Sequence, residues 1–206
     1  MKDAVPEYKS WIPLVRHLFW ARIHIAIKLI QMKGGERVLD AGCGTGHLLE
    51  ELNRKYKGWY GFGVDISPEV ANLTLPNCTF LVADICSLSL PNSYFDFVFA
   101  LDTLEHIREL DRALKEIKRV LKKNGILIVS GPTETFLYRL GRFLCKGTFS
   151  QEKGPCAGRH YYNINQIIQK IKENDFKIEV MQNLPSLQPF VLQKILRFKN
   201  MKAQNL

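Results

Sequence analysis

No two cysteines of this 206-residue chain form a C-x-x-C pair, and the five present (Cys43, Cys78, Cys86, Cys145, Cys156) are scattered and odd in number. That spacing excludes a disulfide framework or a thiolate zinc site and predicts reduced thiols in a cytoplasmic setting. A long uninterrupted apolar run is also missing. The stretch 11–30 is broken by Arg16, His17, Arg22, His24 and Lys28, which excludes a membrane span and fits a helix packed on a domain or lying on a surface. Neither a secretory leader nor an internal repeat nor a disordered tract is visible. The apolar fraction of 46% is ordinary for one globular domain with a well-covered core.

Negative charge is scarce at both ends. Residues 1–35 carry a balance of +4, residues 36–137 of −3 and residues 138–206 of +8. The basic ends are interleaved with aromatics such as Trp11, Phe19, Trp20, Phe143 and Phe198. They suit peripheral contact with an anionic membrane, or serve solubility alone.

The order of elements is legible. A helix is expected over 13–32, stopped by Gly34 and Gly35,. Strands are expected at 37–41, 60–65, 79–84, 95–101, 126–130 and 176–181, with helices at 45–56, 110–121 and 162–174. The segment 189–198 reads either as a seventh, antiparallel strand or as a basic amphipathic helix. Alternating strands and helices predict an α/β fold, a mostly parallel sheet with helices on both faces. The crossover 66–78 is short, with room for a helix of a turn or two ending before Pro76.

The most telling stretch is Val38-Leu39-Asp40-Ala41-Gly42-Cys43-Gly44-Thr45-Gly46. An apolar strand ends in an acid, and small residues alternate with glycine before a helix begins. That layout lets a backbone approach a nucleotide-like ligand. The third glycine is Gly46, while position 47 holds His47, so the spacing is G-x-G-x-G and not the dinucleotide fingerprint G-x-G-x-x-G,. Two further acids, Asp65 and Asp84, close the second and third expected strands.

With Leu104-Glu105-His106 after the fourth strand, these motifs resemble the class I S-adenosylmethionine-dependent methyltransferases, in particular the group acting on small molecules and lipids. The resemblance covers residues 35–181. It implies a Rossmann-like, mostly parallel seven-stranded sheet preceded by an N-terminal helical extension (1–34). The methyltransferase domain would span 35–206, with an acceptor-side insert or lid at 132–159.

As cofactor it implies S-adenosylmethionine, leaving as S-adenosylhomocysteine. Asp40, Gly42, Cys43, Gly44 and Gly46 would meet the aminoacyl end, Asp65 the ribose hydroxyls, and Ile66 the adenine. Asp84 would receive the adenine amino group, flanked by Ile85, with Leu101 bordering the site. A carboxylate suits the ribose because it is acceptor-only and takes two donors side by side.

Methyl transfer from a sulfonium is an in-line displacement, so alignment and desolvation supply much of the acceleration, up to ~7–11 kcal/mol. His106 is the candidate base or positioning group, with His160 and Tyr161 as further acceptor-site candidates. Some family branches hold a divalent cation with an acid-x-x-Glu-His set, here Asp102, Glu105 and His106 joined by His160. Asp102-x-x-Glu105 also reads as a capping box, and no resident metal is expected. The expected acceptor is a small or lipid-like molecule. Nucleic acid is disfavoured because Asp102-Thr103-Leu104 replaces the Pro-Pro-aromatic motif of base amino-methyltransferases. The alternatives are an RNA-directed methyltransferase and a non-catalytic cofactor-binding scaffold of the same fold.

Overall fold

The computed structural model describes residues 13–133, 143, 159–186 and 191–201. Its strands are β1 (Arg37–Ala41), β2 (Tyr60–Asp65), β3 (Cys78–Val82), β4 (Phe95–Leu101), β5 (Leu121–Pro132), β6 (Phe176–Leu184) and β7 (Gln193–Asn200). Its helices are α1 (Pro13–Lys28), α2 (His47–Lys55), α3 (Leu110–Val120) and α4 (Ile164–Glu173). Short 3-10 helices occupy Pro68–Asn72 and Leu104–His106.

The strands form one sheet in the order β3-β2-β1-β4-β5-β7-β6. Strands β1 to β5 pair in parallel, while β7 runs antiparallel to both β5 and β6. The sequence leaves 189–198 open between strand and helix, and the structure makes 193–200 a strand. Periodicity could not decide because β7 is inserted between two strands. Ile195, Leu196 and Phe198 are all buried, as expected for a strand covered on both faces,.

Side chains alternate across the sheet, and the alternation sorts two apolar layers. On one face Leu39, Ala41, Val98, Ala100, Leu127 and Val129 pack with α3 and α4. On the other, Val38, Phe99, Ile126, Ile128 and Ile195 pack with Ile23, Ala26 and Ile27 of α1, with Ile30 just beyond it, and with Leu48, Leu49 and Leu52 of α2. Helix α1 thus shares a layer with α2. In α3, Leu110, Leu114 and Ile117 are at most 1% exposed, and each such side chain contributes about 1.5–3 kcal/mol.

Several boundaries differ from the sequence expectation. Helix α1 ends at Lys28 rather than at residue 32, and α2 starts at His47 because Gly46 is left-handed (φ 80°). Strand β3 ends at Val82, leaving Asp84 in the following turn. Strand β5 begins directly after α3, with a register irregularity between Phe95 and Phe97. The crossover after β2 is short, as expected: Ser67 Oγ accepts from the Glu69 N–H (3.4 Å) and Pro68 opens the 3-10 turn. Apart from its ends and Phe143, the insert expected at 132–159 lies outside the described residues, as does much of the two basic ends. Among the described residues no helix is long and apolar enough to cross a membrane.

Candidate active site

In a parallel sheet ligands meet the carboxyl ends of the strands, and here those ends turn polar. Asp40 has the parity of Val38, so it points toward the α1/α2 layer, where it is 4% exposed. Burial and the nearby Asp65 carboxylate push its pKa up to about 7, and the Arg22 guanidinium opposes that rise. The chain then turns sharply. The Gly42 and Cys43 N–H groups donate to the Val64 carbonyl (2.7 and 3.0 Å), tying the turn to β2. Gly42 adopts φ 82°, and a Cβ there would overlap the Thr103 side chain. Burial and the neighbouring Asp40 hold the Cys43 thiol protonated, as an inert packing group beside Gly63,.

Asp65 ends β2 and accepts from the Gly44 N–H and the Ser67 N–H, both at 2.9 Å. Each of its oxygens takes one donor and keeps capacity for another. Next to it Ile66 is 76% exposed, and Val82 at the end of β3 is 50% exposed. Two bare apolar side chains beside a carboxylate make a surface suited to a flat, partly apolar ligand. Asp84 accepts from the Cys86 N–H (2.8 Å), bracing its own turn. Ile85 is buried, its side chain in the apolar layer with Cys86 and Leu88. Leu101 ends β4, partly buried, and its carbonyl accepts from Thr103 Oγ1 (3.2 Å).

At the end of β4 the 3-10 turn presents His106 outward and buries Glu105. The segment before α4 docks on this turn. The Tyr161 N–H donates to the Glu105 carbonyl (2.8 Å), and Tyr162 Oη donates to the Arg108 carbonyl (3.2 Å). Asn163 closes the docked stretch with a capping box to Gln166,.

The docking sets the His106 and His160 rings edge to face, with centroids 4.7 Å apart. Partial burial and the adjacent His160 lower the His106 pKa from its ordinary value, favouring neutral imidazole. Its Nδ1 faces the Arg159 carbonyl at 3.4 Å. A carbonyl only accepts, so Nδ1 carries the proton and the Nε2 lone pair is left as a base. Tyr161 is 42% exposed beside them.

One ligand atom from each of Glu105, His106 and His160 lies within 4.8 Å of the others. Two imidazoles and a carboxylate are a donor set that a divalent cation accepts. Asp102 does not join them, a correction to the four-residue set considered above. It sits at φ 51° and turns into the protein. There it pairs with Arg22 and accepts from Ser130 Oγ (2.7 Å) and Gln193 Nε2 (2.7 Å).

Arg22, Ser130 and Gln193 escaped the sequence reading. Arg22 reads there only as a break in an apolar stretch. The signal for it is a lone cation on the same helical face as Ile23 and Ala26. Ser130 and Gln193 carry no local mark, because their role depends on the β5–β7 pairing that sets Ser130 opposite Ile195 and Pro132 opposite Gln193.

Known proteins of the same build can be set beside this geometry. Residues 39–129 match a family described as a methyltransferase domain. An uncharacterized protein of Methanocaldococcus jannaschii is 31% identical over 77% of this chain and 63% of its own length. The 2-methyl-6-phytyl-1,4-hydroquinone methyltransferase of Synechocystis sp. is 32% identical over 57% of this chain and 41% of its own length. The chain therefore spans less than two thirds of these relatives. A solved S-adenosylmethionine-dependent methyltransferase from Methanosarcina mazei superposes with a TM-score of 0.66 at 22% identity, over 86% of this chain and 98% of that one, a likeness of fold.

Proposed function

We propose that this chain is a class I S-adenosylmethionine-dependent methyltransferase, a reading supported by the methyltransferase-domain match over residues 39–129 and by its named relatives, and that it methylates a small-molecule or lipid-like acceptor. The observation that carries this reading is the gathering of a glycine turn and the acids Asp40, Asp65 and Asp84 at one end of the sheet, next to a neutral histidine. The cofactor fits these residues on two counts. Asp65 retains acceptor capacity beyond its two backbone donors, as a ribose requires. The exposed Ile66 and Val82 beside it supply the apolar surface that an adenine needs.

Asp40 and the turn Gly42–Gly46 would hold the aminoacyl end, Asp65 the ribose and Asp84 the adenine edge. S-adenosylmethionine, when bound, supplies a methyl group on a positively charged sulfur. The protein's own part is to align and to exclude water, which carries most of the rate in such a displacement. His106 Nε2 takes the acceptor's proton where the acceptor must lose one, contributing about 10²–10⁴-fold. His160 and Tyr161 face the same space and orient the acceptor. The hydroquinone named for the Synechocystis relative has such chemistry, an ionisable ring oxygen with an apolar tail. An acceptor of that class is the reading's finer form.

Calorimetry of the purified chain with S-adenosylmethionine and S-adenosylhomocysteine tests the proposal. Binding is expected, and Asp65→Ala should weaken it by roughly 10³-fold, since each charge-assisted hydrogen bond is worth about 1.5–3 kcal/mol. Absence of binding to either molecule, or no effect of Asp65→Ala, would refute the reading.

A further inference from the structure

We infer that Arg22 of α1 is a positioning residue for the cofactor end of the site. Its buried guanidinium, anchored on Asp102, supplies the positive charge that lets the carboxylates of Asp40 and Asp65 stand side by side at the glycine turn. This rests on the proposed reading of the site and adds to it a residue outside the glycine turn and the strand ends.

The argument starts from parity. Asp40, Ser130 and Gln193 share the parity of Val38, Ile128 and Ile195, so all three face the layer that α1 covers. Along most of that layer the packing is apolar; at the carboxyl ends of the strands it becomes a polar cluster of 4%, 0% and 8% exposure. Arg22 enters this cluster at 3% exposure and pairs with Asp102. A guanidinium so deeply buried is retained only where it meets compensating charge and hydrogen bonds.

Asp102 supplies part of that compensation. It is held rigidly, giving its own N–H to the Ser130 carbonyl (3.2 Å) while accepting from Ser130 Oγ and Gln193 Nε2. The next residue, Thr103, is the one that packs on Gly42. Arg22 is therefore linked to the glycine turn twice, through its field on Asp40 and through Asp102–Thr103–Gly42. Helix α1 also seats Trp20 against the His47 ring at the start of α2 (centroids 5.4 Å), and His24 lies 3.4 Å from Glu51.

The charged and titratable groups around Asp40 can be named. Asp65 on β2 disfavours its ionisation and Arg22 on α1 favours it, while the Cys43 thiol in the turn stays protonated. Asp102 after β4 acts on it only through Arg22. The cofactor's ammonium requires Asp40 as a carboxylate. Affinity in the unaltered chain should accordingly weaken as pH falls through about 7.

The experiment is S-adenosylhomocysteine affinity against pH for the full chain, Arg22→Met, Arg22→Lys and Asp102→Asn, with thermal melts alongside. Arg22→Met should move the midpoint upward by about one unit, equivalent to about five-fold in affinity at pH 7. Arg22→Lys, which keeps the charge, should stay near the parent. Asp102→Asn keeps an Oδ1 acceptor to hold Arg22 while removing the competing anion, so its midpoint should fall. It decides the matter if Arg22→Met does not fold. A midpoint unmoved in Arg22→Met, an unmoved or raised midpoint in Asp102→Asn, or equal weakening of all variants at every pH would overturn the inference. If the unaltered chain binds nothing at any pH, the failure belongs to the functional reading and not to Arg22.

Discussion

At the β1–β2 end of the crevice, the residues that face a ligand follow directly on their own strands: Asp40 and its glycine turn after β1, Asp65 and Ile66 after β2. At the β4 end, the His106 ring meets a segment 53 residues further along, where Arg159 and His160 lie. The first arrangement is turn chemistry, fixed by local backbone geometry. The second exists only after α4 has packed and its preceding segment has docked on the 3-10 turn at Leu104–His106. Local geometry suits the part of a site that binds a common cofactor. A long-range junction can be rebuilt to suit each acceptor without disturbing it.

Breaking the local half should have the largest effect. Gly42→Ala places a Cβ into Thr103 at a left-handed backbone position. Strain of about 1–2 kcal/mol and overpacking of about 1–3 kcal/mol should together lower unfolding stability and cofactor affinity at once. Denaturant melts and calorimetry would read both. Retention of full affinity would mean that the turn is more pliable than its geometry implies.

The His106 test separates the two halves. His106→Ala should reduce kcat by about 10²-fold for an acceptor that loses a proton, with cofactor affinity unchanged. Because the His106 pKa is lowered, its neutral, active form persists throughout neutral pH. The rate should fall only as pH drops below the ordinary histidine range. A loss of cofactor affinity comparable to that of Asp65→Ala would erase the division between the ends.

How much of this was legible in the sequence follows the same division. The glycine turn, the acids and the order of elements could be read because each is set by residues within a few positions of one another. Asp102 shows where that fails. Its spacing to Glu105 and His106 suggests a shared site, yet a positive φ and three partners from α1, β5 and β7 turn it inward. Nothing local marks that outcome.

The smallest predicted effect sharpens the comparison, because one part of the cofactor end does depend on distant support. Arg119 on α3 donates to the carbonyls of Leu88 and Leu90 (both 2.7 Å) and to Asn92 Oδ1 (2.6 Å), and it pairs with Glu116 (2.8 Å), bracing the loop that follows Asp84. The side chain is 30% exposed, so Arg119→Ala should cost about 1–2 kcal/mol of stability. Cofactor affinity should fall less than ten-fold. Hydrogen exchange confined to residues 84–94 would show the loosening directly.

The position of β7 has a consequence for how the molecule is made. Strand β7, which follows β5 and β6 in the chain, is slotted between them, so during synthesis their facing edges stay unsatisfied until residues 193–200 arrive. Gln193, which braces Asp102, arrives with them. The floor beneath the glycine turn is then set in place well after the turn itself has been synthesised. A stalled or clipped chain would carry the recognisable motif and sticky margins open to aggregation.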